Sequence, residues 1–145
     1  MDGHHHGEDP VDHHHAFESP MAAEFAELEG EVLAGLVTQG VSVLAELCRQ
    51  RGVNVRRLID IGCGPGVGTC ALAQAFGSAS IVAVDGSATM LEQVTARAGR
   101  LGLERQVETS QVDLPAGLGT LGAADVVWAS MVLHHIGDEA AALQA

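Results

Sequence analysis

The sequence predicts an α/β protein with a Rossmann-like, doubly wound parallel sheet, and three observations lead to this fold class. Short apolar runs of β type alternate with helical stretches of about ten residues or more, as in βαβ units. The runs at 57–61, 81–85 and 124–129 are mainly apolar, which is typical of strands that helices cover on both faces. A glycine-rich loop separates the first run from the helix after it, as in folds that bind a ligand at this turn.

Each element follows from its local pattern. We expect, in chain order, a strand at 57–61, a helix at 67–76, a strand at 81–85, a helix at 88–101 with Ser87 as its N-cap, strands at 107–113 and 124–129, and a helix from 138. The chain ends at Ala145, within the last helix, so we expect a sheet that is truncated after its fourth strand.

The chain divides into three parts by composition. Residues 1–20 are polar and contain two His triplets, and we expect a disordered tail. Residues 21–52 carry apolar residues at spacings of three and four, which predicts N-terminal helical structure. Residues 53–145 form the incomplete α/β domain. Three glycines favour two helices or a kinked one in the middle part: Gly30, Gly35 and Gly40.

Charge and composition narrow the function. The 145 residues carry a formal net charge of −12 and only 7 Lys and Arg, so we expect a small-molecule partner and no nucleic acid. No uninterrupted apolar run approaches the roughly 20 residues of a membrane helix, and no secretory signal is visible. We therefore expect a cytoplasmic protein without a membrane partner. The three cysteines have no zinc or disulfide spacing, and we expect no metal site, although a His tract can also capture metal.

The glycine-rich loop, Asp60 to Gly68, reads Asp-Ile-Gly-Cys-Gly-Pro-Gly-Val-Gly. Glycines at this turn let the backbone approach a ligand closely, and the helix start presents N–H groups suited to an anion. The dinucleotide fingerprint requires Gly or Ala where the two possible frames have Val67 and Thr69, so neither frame fits.

The loop instead resembles motif I of class I S-adenosylmethionine (SAM) dependent methyltransferases, an acid followed after one residue by Gly-x-Gly-x-Gly. The resemblance implies SAM as the cofactor. It also places five residues at the cofactor: Asp60, Gly62, Cys63, Gly64 and Gly66.

Two further segments resemble this family. Val84 to Leu91 looks like the segment whose acid holds both ribose hydroxyls, which implies cofactor contacts for Asp85, Gly86 and Met90. Val112-Asp113-Leu114 resembles the adenine-binding position and implies contacts for Asp113 and Leu114. The alternative role of Asp85 is that of a structural acid at the end of its strand. The alternative role of Asp113 is that of a turn-forming residue before Pro115.

The segment from Asp125 to Ile136 is similar to sequences of the Methyltransf_11 and Methyltransf_12 type. The resemblance places Ala129 and Ser130 beside the methionine portion of the cofactor, and an actinobacterial subtype is suspected. No catalytic residue is assigned. His135, after His134, is a weak candidate for a general base, and packing is the alternative role.

The resemblance implies a methyltransferase (EC 2.1.1.-) that acts on a small-molecule acceptor by in-line displacement. An aminopropyltransferase on the same sheet and a non-catalytic SAM-binding module or inactive fragment are the alternatives. Val126 to Trp128 would lie on an unpaired edge strand, so self-association through this edge is expected.

Overall fold

The computed structural model describes residues 20–132 and residue 140. The two His triplets, the pair His134–His135 and most of the expected C-terminal helix lie outside the described residues. The elements are α1 (Pro20–Gln50), β1 (Arg57–Ile61), α2 (Val67–Ala75), β2 (Ser80–Asp85), α3 (Ala88–Arg100), β3 (Val107–Gln111), a 3₁₀ turn (Leu118–Thr120) and β4 (Val126–Ala129).

The four strands form one parallel sheet in the order β3-β2-β1-β4. Ile59 of β1 lies opposite Val82 of β2 on one side and Val127 of β4 on the other. The chain runs outward from β1 to β3 and then crosses to the opposite side of β1. This reversal is a topological switch point, where a crevice opens at the carboxyl ends of the strands. The predicted fold class is confirmed.

β1 and β2 are the buried centre of the sheet. One face packs with α1 and α2 around Leu58, Leu72 and Ile81, all without exposed surface. The other face, with Ile59 and Val82, is packed by residues of the segment between β3 and β4. Burial of continuous apolar runs on two faces holds the carboxyl ends of these strands in a fixed place.

The strand boundaries differ from the prediction by one or two residues. β3 ends at Gln111, before Asp113, and β4 begins at Val126. Asp125 lies just before β4, and its carboxylate accepts hydrogen bonds from the backbone N–H groups of Arg56 and Arg57, at 2.8 and 2.9 Å. These bonds hold its pKa below the usual value and join the start of β4 to that of β1.

α1 is one continuous helix of 31 residues, so the alternative of two separate helices is wrong, and the alternative of a kinked helix stays a prediction. Glycine favours a break, but two of these glycines lie where the helix approaches its neighbours. A Cβ on Gly30 would lie 2.9 Å from the side chain of Val67, and one on Gly40 would lie 3.2 Å from that of Trp128. Close packing of α1 against α2 and β4 outweighs the local propensity at these positions.

The outward face of α1 is apolar. It carries seven exposed side chains: Met21, Phe25, Leu28, Val32, Leu36, Val43 and Leu47. An 18-residue window of the helix has a mean hydropathy of 1.4, so the helix is long and apolar enough to cross a membrane. Polar residues interrupt the apolar residues of this helix, so the search for an uninterrupted apolar run did not single it out. Core helices of soluble proteins pass the same test, and the absence of a membrane partner stays a prediction.

Candidate functional site

The glycine loop between β1 and α2 has an irregular backbone at which glycine is required. Gly62, Gly64 and Gly66 have positive φ angles of 65°, 51° and 86°. A Cβ on Gly66 would lie 3.0 Å from the Cα of Val94, so this glycine lets the loop pack against α3. A Cβ on Gly64 would meet nothing within 4 Å. The loop is therefore anchored on its α3 side and open at Gly64.

Asp85 joins two loops at the carboxyl end of β2. Its Oδ2 accepts a hydrogen bond from the backbone N–H of Gly64 at 3.0 Å, and its Oδ1 accepts one from Ser87 N–H at 2.9 Å. Each carboxylate oxygen has a further lone pair for a ligand donor. Ser87 also caps α3, since its hydroxyl accepts the N–H of Met90 at 3.4 Å, which confirms the predicted N-cap.

Asp60 is buried at the end of β1, with 3% of its surface exposed. Its Oδ2 accepts a hydrogen bond of 2.6 Å from the hydroxyl of Thr69 on α2. Loss of solvation is the main cause that raises the pKa of Asp60 from 3.8 to about 7. The hydrogen bond from Thr69 opposes this shift, and the negative charge of Asp85 adds a smaller increase. Asp60 therefore changes its charge near neutral pH.

The cysteines are buried thiols. Burial raises the pKa of the Cys63 thiol well above its usual value, with the carboxylates of Asp60 and Asp85 adding to the shift. The pKa of the Cys70 thiol is also raised, mainly by burial. Thiolate is the reactive form, so neither thiol is an activated nucleophile.

A cavity of about 330 Å³ opens at the carboxyl ends of the strands. The residues predicted to contact the cofactor divide into two groups. Those that line the cavity are Asp60, Gly62, Cys63, Gly64, Asp85, Met90, Leu114 and Ser130. Those that do not line it are Gly66, Gly86, Asp113 and Ala129, of which Gly66 acts through the packing of the loop. His135 lies outside the described residues.

Asp113 is exposed and forms part of a turn, because its carbonyl accepts the N–H of Gly117 at 2.8 Å. This is the turn-forming alternative of the sequence analysis. Ala129 is also exposed at the end of β4, next to Ser130. The adenine-contact role of Asp113 and the methionine-side role of Ala129 stay predictions.

Sequence reasoning missed the wall that α1 contributes. Five residues of this helix line the cavity: Ala26, Glu29, Gly30, Leu33 and Val37. Their spacing of three and four marks them as one helix face. Nothing in the local sequence indicates that this face meets a loop 30 residues further along the chain.

Trp128 of β4 also lines the cavity, where it lies opposite Asp60 in the register of the two strands. Its indole nitrogen is buried and has no hydrogen-bond partner among the described residues. A Cβ on Gly68 would lie 3.6 Å from this nitrogen and 3.7 Å from Oδ2 of Asp60. The indole of Trp128 is thus part of the cavity wall, and its N–H donor has no partner among the described residues.

The polar groups of the cavity suit a ligand that carries both signs of charge. The charged side chains lining it, among the described residues, are the acids Glu29, Asp60 and Asp85. The start of α2, at Val67 and Gly68, also lines it, and the N-cap Gly66 provides no side-chain cap for the first N–H groups. A cation or hydroxyl fits the acids, and an anion fits the uncapped helix start.

The fold and the site define a Rossmann-like sheet with a crevice at the switch point. A family profile described as "Methyltransferase domain" matches residues 58–145. This is more than half of the chain, and the chain belongs to this methyltransferase family. The predicted family is confirmed, and the actinobacterial subtype stays a prediction.

Two curated relatives align with part of the chain. The malonyl-[acyl-carrier protein] O-methyltransferase of Legionella pneumophila is 37% identical over 79 residues, which cover 54% of this chain and 27% of the relative. A trans-aconitate 2-methyltransferase of Azoarcus is 37% identical over 86 residues, which cover 59% of this chain and 31% of the relative. The aligned segments thus cover less than a third of the length of each of these two relatives.

The fold is also found in solved structures. A Methanococcus maripaludis protein described as a SAM-dependent methyltransferase superimposes with a TM-score of 0.65 at 22% identity. The superposition covers 98% of this chain and 60% of that protein. At this identity the likeness concerns the fold.

Proposed function

We propose that this chain binds S-adenosylmethionine and takes part in methyl transfer to a small-molecule acceptor by in-line displacement. The observation that carries the proposal is the hydrogen bond between Asp85 and Gly64 at the rim of the cavity. It joins an acceptor for ribose hydroxyls to a glycine loop open to a ligand. The chain belongs to a methyltransferase family, which supports a methyl donor as the ligand of this site.

The residues of the cavity fit the parts of this cofactor. Asp85 retains acceptor capacity for the ribose hydroxyls, and Met90 and Leu114 supply apolar wall nearby for the adenine. The uncapped N–H groups at the start of α2 suit the methionine carboxylate. Asp60 and Glu29 are acids that suit its ammonium group.

The cofactor supplies an activated methyl group on a sulfonium, so the protein has little bond-making chemistry of its own to perform. What remains for the chain is to hold the methyl donor in line with the acceptor and to exclude water, and such alignment contributes up to about 7–11 kcal/mol in favourable cases. Trp128 and the α1 face form the apolar part of the enclosure.

Binding is testable with the protein's own fluorophore, because Trp128 is the only tryptophan and lines the cavity. We expect SAM and S-adenosylhomocysteine to change its emission saturably, and NAD to do so only at much higher concentration. Tighter binding of NAD than of SAM would refute the cofactor assignment. Methyl transfer from labelled SAM to a panel of hydroxyl, amine and carboxylate acceptors then separates an enzyme from a module that only binds the cofactor.

A further inference from the structure

One side chain of α3 contacts both α1 and the glycine loop, two elements that contribute residues to the cavity lining. The guanidinium of Arg97 forms ion pairs with two acids of α1, Glu27 and Glu31, and the distance to Glu31 is 2.9 Å. Its Nε also donates to the backbone carbonyl of Pro65, in the glycine loop, at 3.3 Å. Arg97 is mostly buried, with 13% of its side chain exposed. It thus joins α1, α3 and the loop at one point.

The two acids require a cation between them. Glu27 and Glu31 are four residues apart and lie on the same face of α1, where two like charges destabilise a helix. A guanidinium matches this arrangement because its planar fork donates in several directions at once. The acids are 35% and 55% exposed, so the pairs are open to solvent on one side and sensitive to salt.

The same turn of α1 forms the cavity wall. Glu29 and Gly30 line the cavity and lie between the two acids that Arg97 binds. At Gly30 the helix also comes close to the loop, where a Cβ would lie 2.9 Å from the side chain of Val67 and 3.6 Å from that of Pro65. Displacement of this turn would open the cavity on its α1 side.

We propose that Arg97 is a positioning residue for the cofactor site, which holds the turn of α1 around Glu29 against the glycine loop. The proposal rests on the proposed function, since it concerns the affinity of the same cavity for SAM. It follows that the affinity for SAM depends on ionic strength through Arg97, although Arg97 does not line the cavity.

The test compares four forms of the full chain by Trp128 fluorescence titration with SAM: the native protein, Arg97→Gln, Arg97→Lys and the control Arg100→Gln. Arg100 is exposed at the end of the same helix and forms no ion pair with the described part of α1, so the control removes the same charge without removing a contact to α1. We expect Arg97→Gln to raise the Kd roughly five-fold, the size expected for loss of a partly exposed charge pair, and Arg97→Lys to restore part of the affinity.

Salt distinguishes positioning from general stabilisation. Between about 0.1 M and about 1 M salt the Debye length falls from about 10 Å to about 3 Å. The Kd of the native protein and of Arg100→Gln should rise more steeply over this range than that of Arg97→Gln, because the direct effect of salt on the charged groups of SAM is common to all forms. A lower melting temperature for Arg97→Gln with an unchanged Kd and an unchanged salt dependence would overturn the proposal.

Two further measurements keep the proposal testable. If Arg97→Gln does not fold, the double variant Glu27→Gln/Glu31→Gln, which retains the loop contact of Arg97, takes its place with the same expectations. If the native protein does not bind SAM, the proposed function fails, and hydrogen exchange of residues 20–37 still tests the contact. Faster exchange in Arg97→Gln than in Arg100→Gln supports it, and equal exchange refutes it.

Discussion

The floor of the cavity and its α1 wall are built in different ways. The floor comes from β1, the glycine loop and the end of β2, which lie within 30 residues of one another in the chain and are fixed by buried strands. The wall comes from a helix whose outer face is exposed, and it is held to the floor by the ion pairs of Arg97 and the close approach at Gly30. The floor is therefore encoded locally in the sequence, whereas the wall depends on long-range contacts.

We expect the largest loss of unfolding free energy at Gly66, where the floor is tightly packed. In Gly66→Val the new Cβ would lie 3.0 Å from the Cα of Val94, at a φ of 86° that disfavours β-branched residues. The left-handed conformation and the overpacking should together cost about 3 kcal/mol or more of unfolding free energy. Urea denaturation measures the loss.

Gly77→Val is the matched control for Gly66→Val. A Cβ on Gly77 would meet nothing within 4 Å, and its φ lies outside the left-handed region. We expect a change within about 0.5 kcal/mol. Equal losses in the two variants would contradict the account of a tightly packed loop.

The next effect concerns the rim of the floor. Asp85→Ala removes the acceptor of the Gly64 and Ser87 N–H groups as well as the proposed ribose acceptor. Hydrogen bonds to a charged group contribute about 1.5–3 kcal/mol each, so the Kd for SAM should rise ten-fold or more. Calorimetric titration measures the change.

Asp85→Asn and Asp113→Ala complete this test. The amide oxygen of Asp85→Asn can still accept one of the two backbone N–H groups, and we expect an intermediate Kd. Asp113 is exposed and does not line the cavity, so Asp113→Ala should change the Kd less than Asp85→Ala does. An unaltered Kd in Asp85→Ala would remove Asp85 from the ribose role.

The third effect is a pH dependence of stability that originates in the floor. The pKa of Asp60 is about 7 in the folded chain, whereas that of an ordinary carboxyl is 3.8. Between these two pH values the folded state keeps a proton on Asp60 that the unfolded state has released. The unfolding free energy should therefore fall as the pH rises from about 4 to about 7 and level off above that range.

Asp60→Asn should remove most of this slope. We expect the variant to be more stable than the native protein at pH 8, by on the order of 1–2 kcal/mol, because no charge is buried and Thr69 can still donate to the amide oxygen. Its affinity for SAM should be lower, since an acid is lost from the cavity. Melting curves at pH 5 and pH 8 test this, and an equal pH slope in both proteins would assign the dependence to other groups.

The residues that form the floor of the cavity could be predicted from the sequence for a physical reason. Asp60, the loop glycines and Asp85 lie at strand ends that alternating β and α patterns locate, and the rules of the parallel sheet bring those ends together. Sequence reasoning failed at α1, because Gly30 and Gly40 read as helix breakers in isolation and act as points of close approach in the fold. The pairing of Arg97 with Glu27 spans 70 residues and leaves no local signal.

The smallest effect compares two glycines of the same helix and tests this explanation directly. Gly35 has open space around it, and Gly30 faces Val67, so a methyl group is tolerated at the first and crowded at the second. Alanine is more favourable than glycine inside a helix by roughly 0.5–1 kcal/mol. Gly35→Ala should therefore stabilise the chain by about that amount, whereas at Gly30 the crowding should cancel the gain or reverse its sign. Because Gly30 lies in the turn that lines the cavity, Gly30→Ala should also weaken SAM binding, and Gly35→Ala should leave it unchanged. Equal melting temperatures and equal Kd values for the two variants would show that α1 does not approach the loop at Gly30, and the wall would then lose its part in the site.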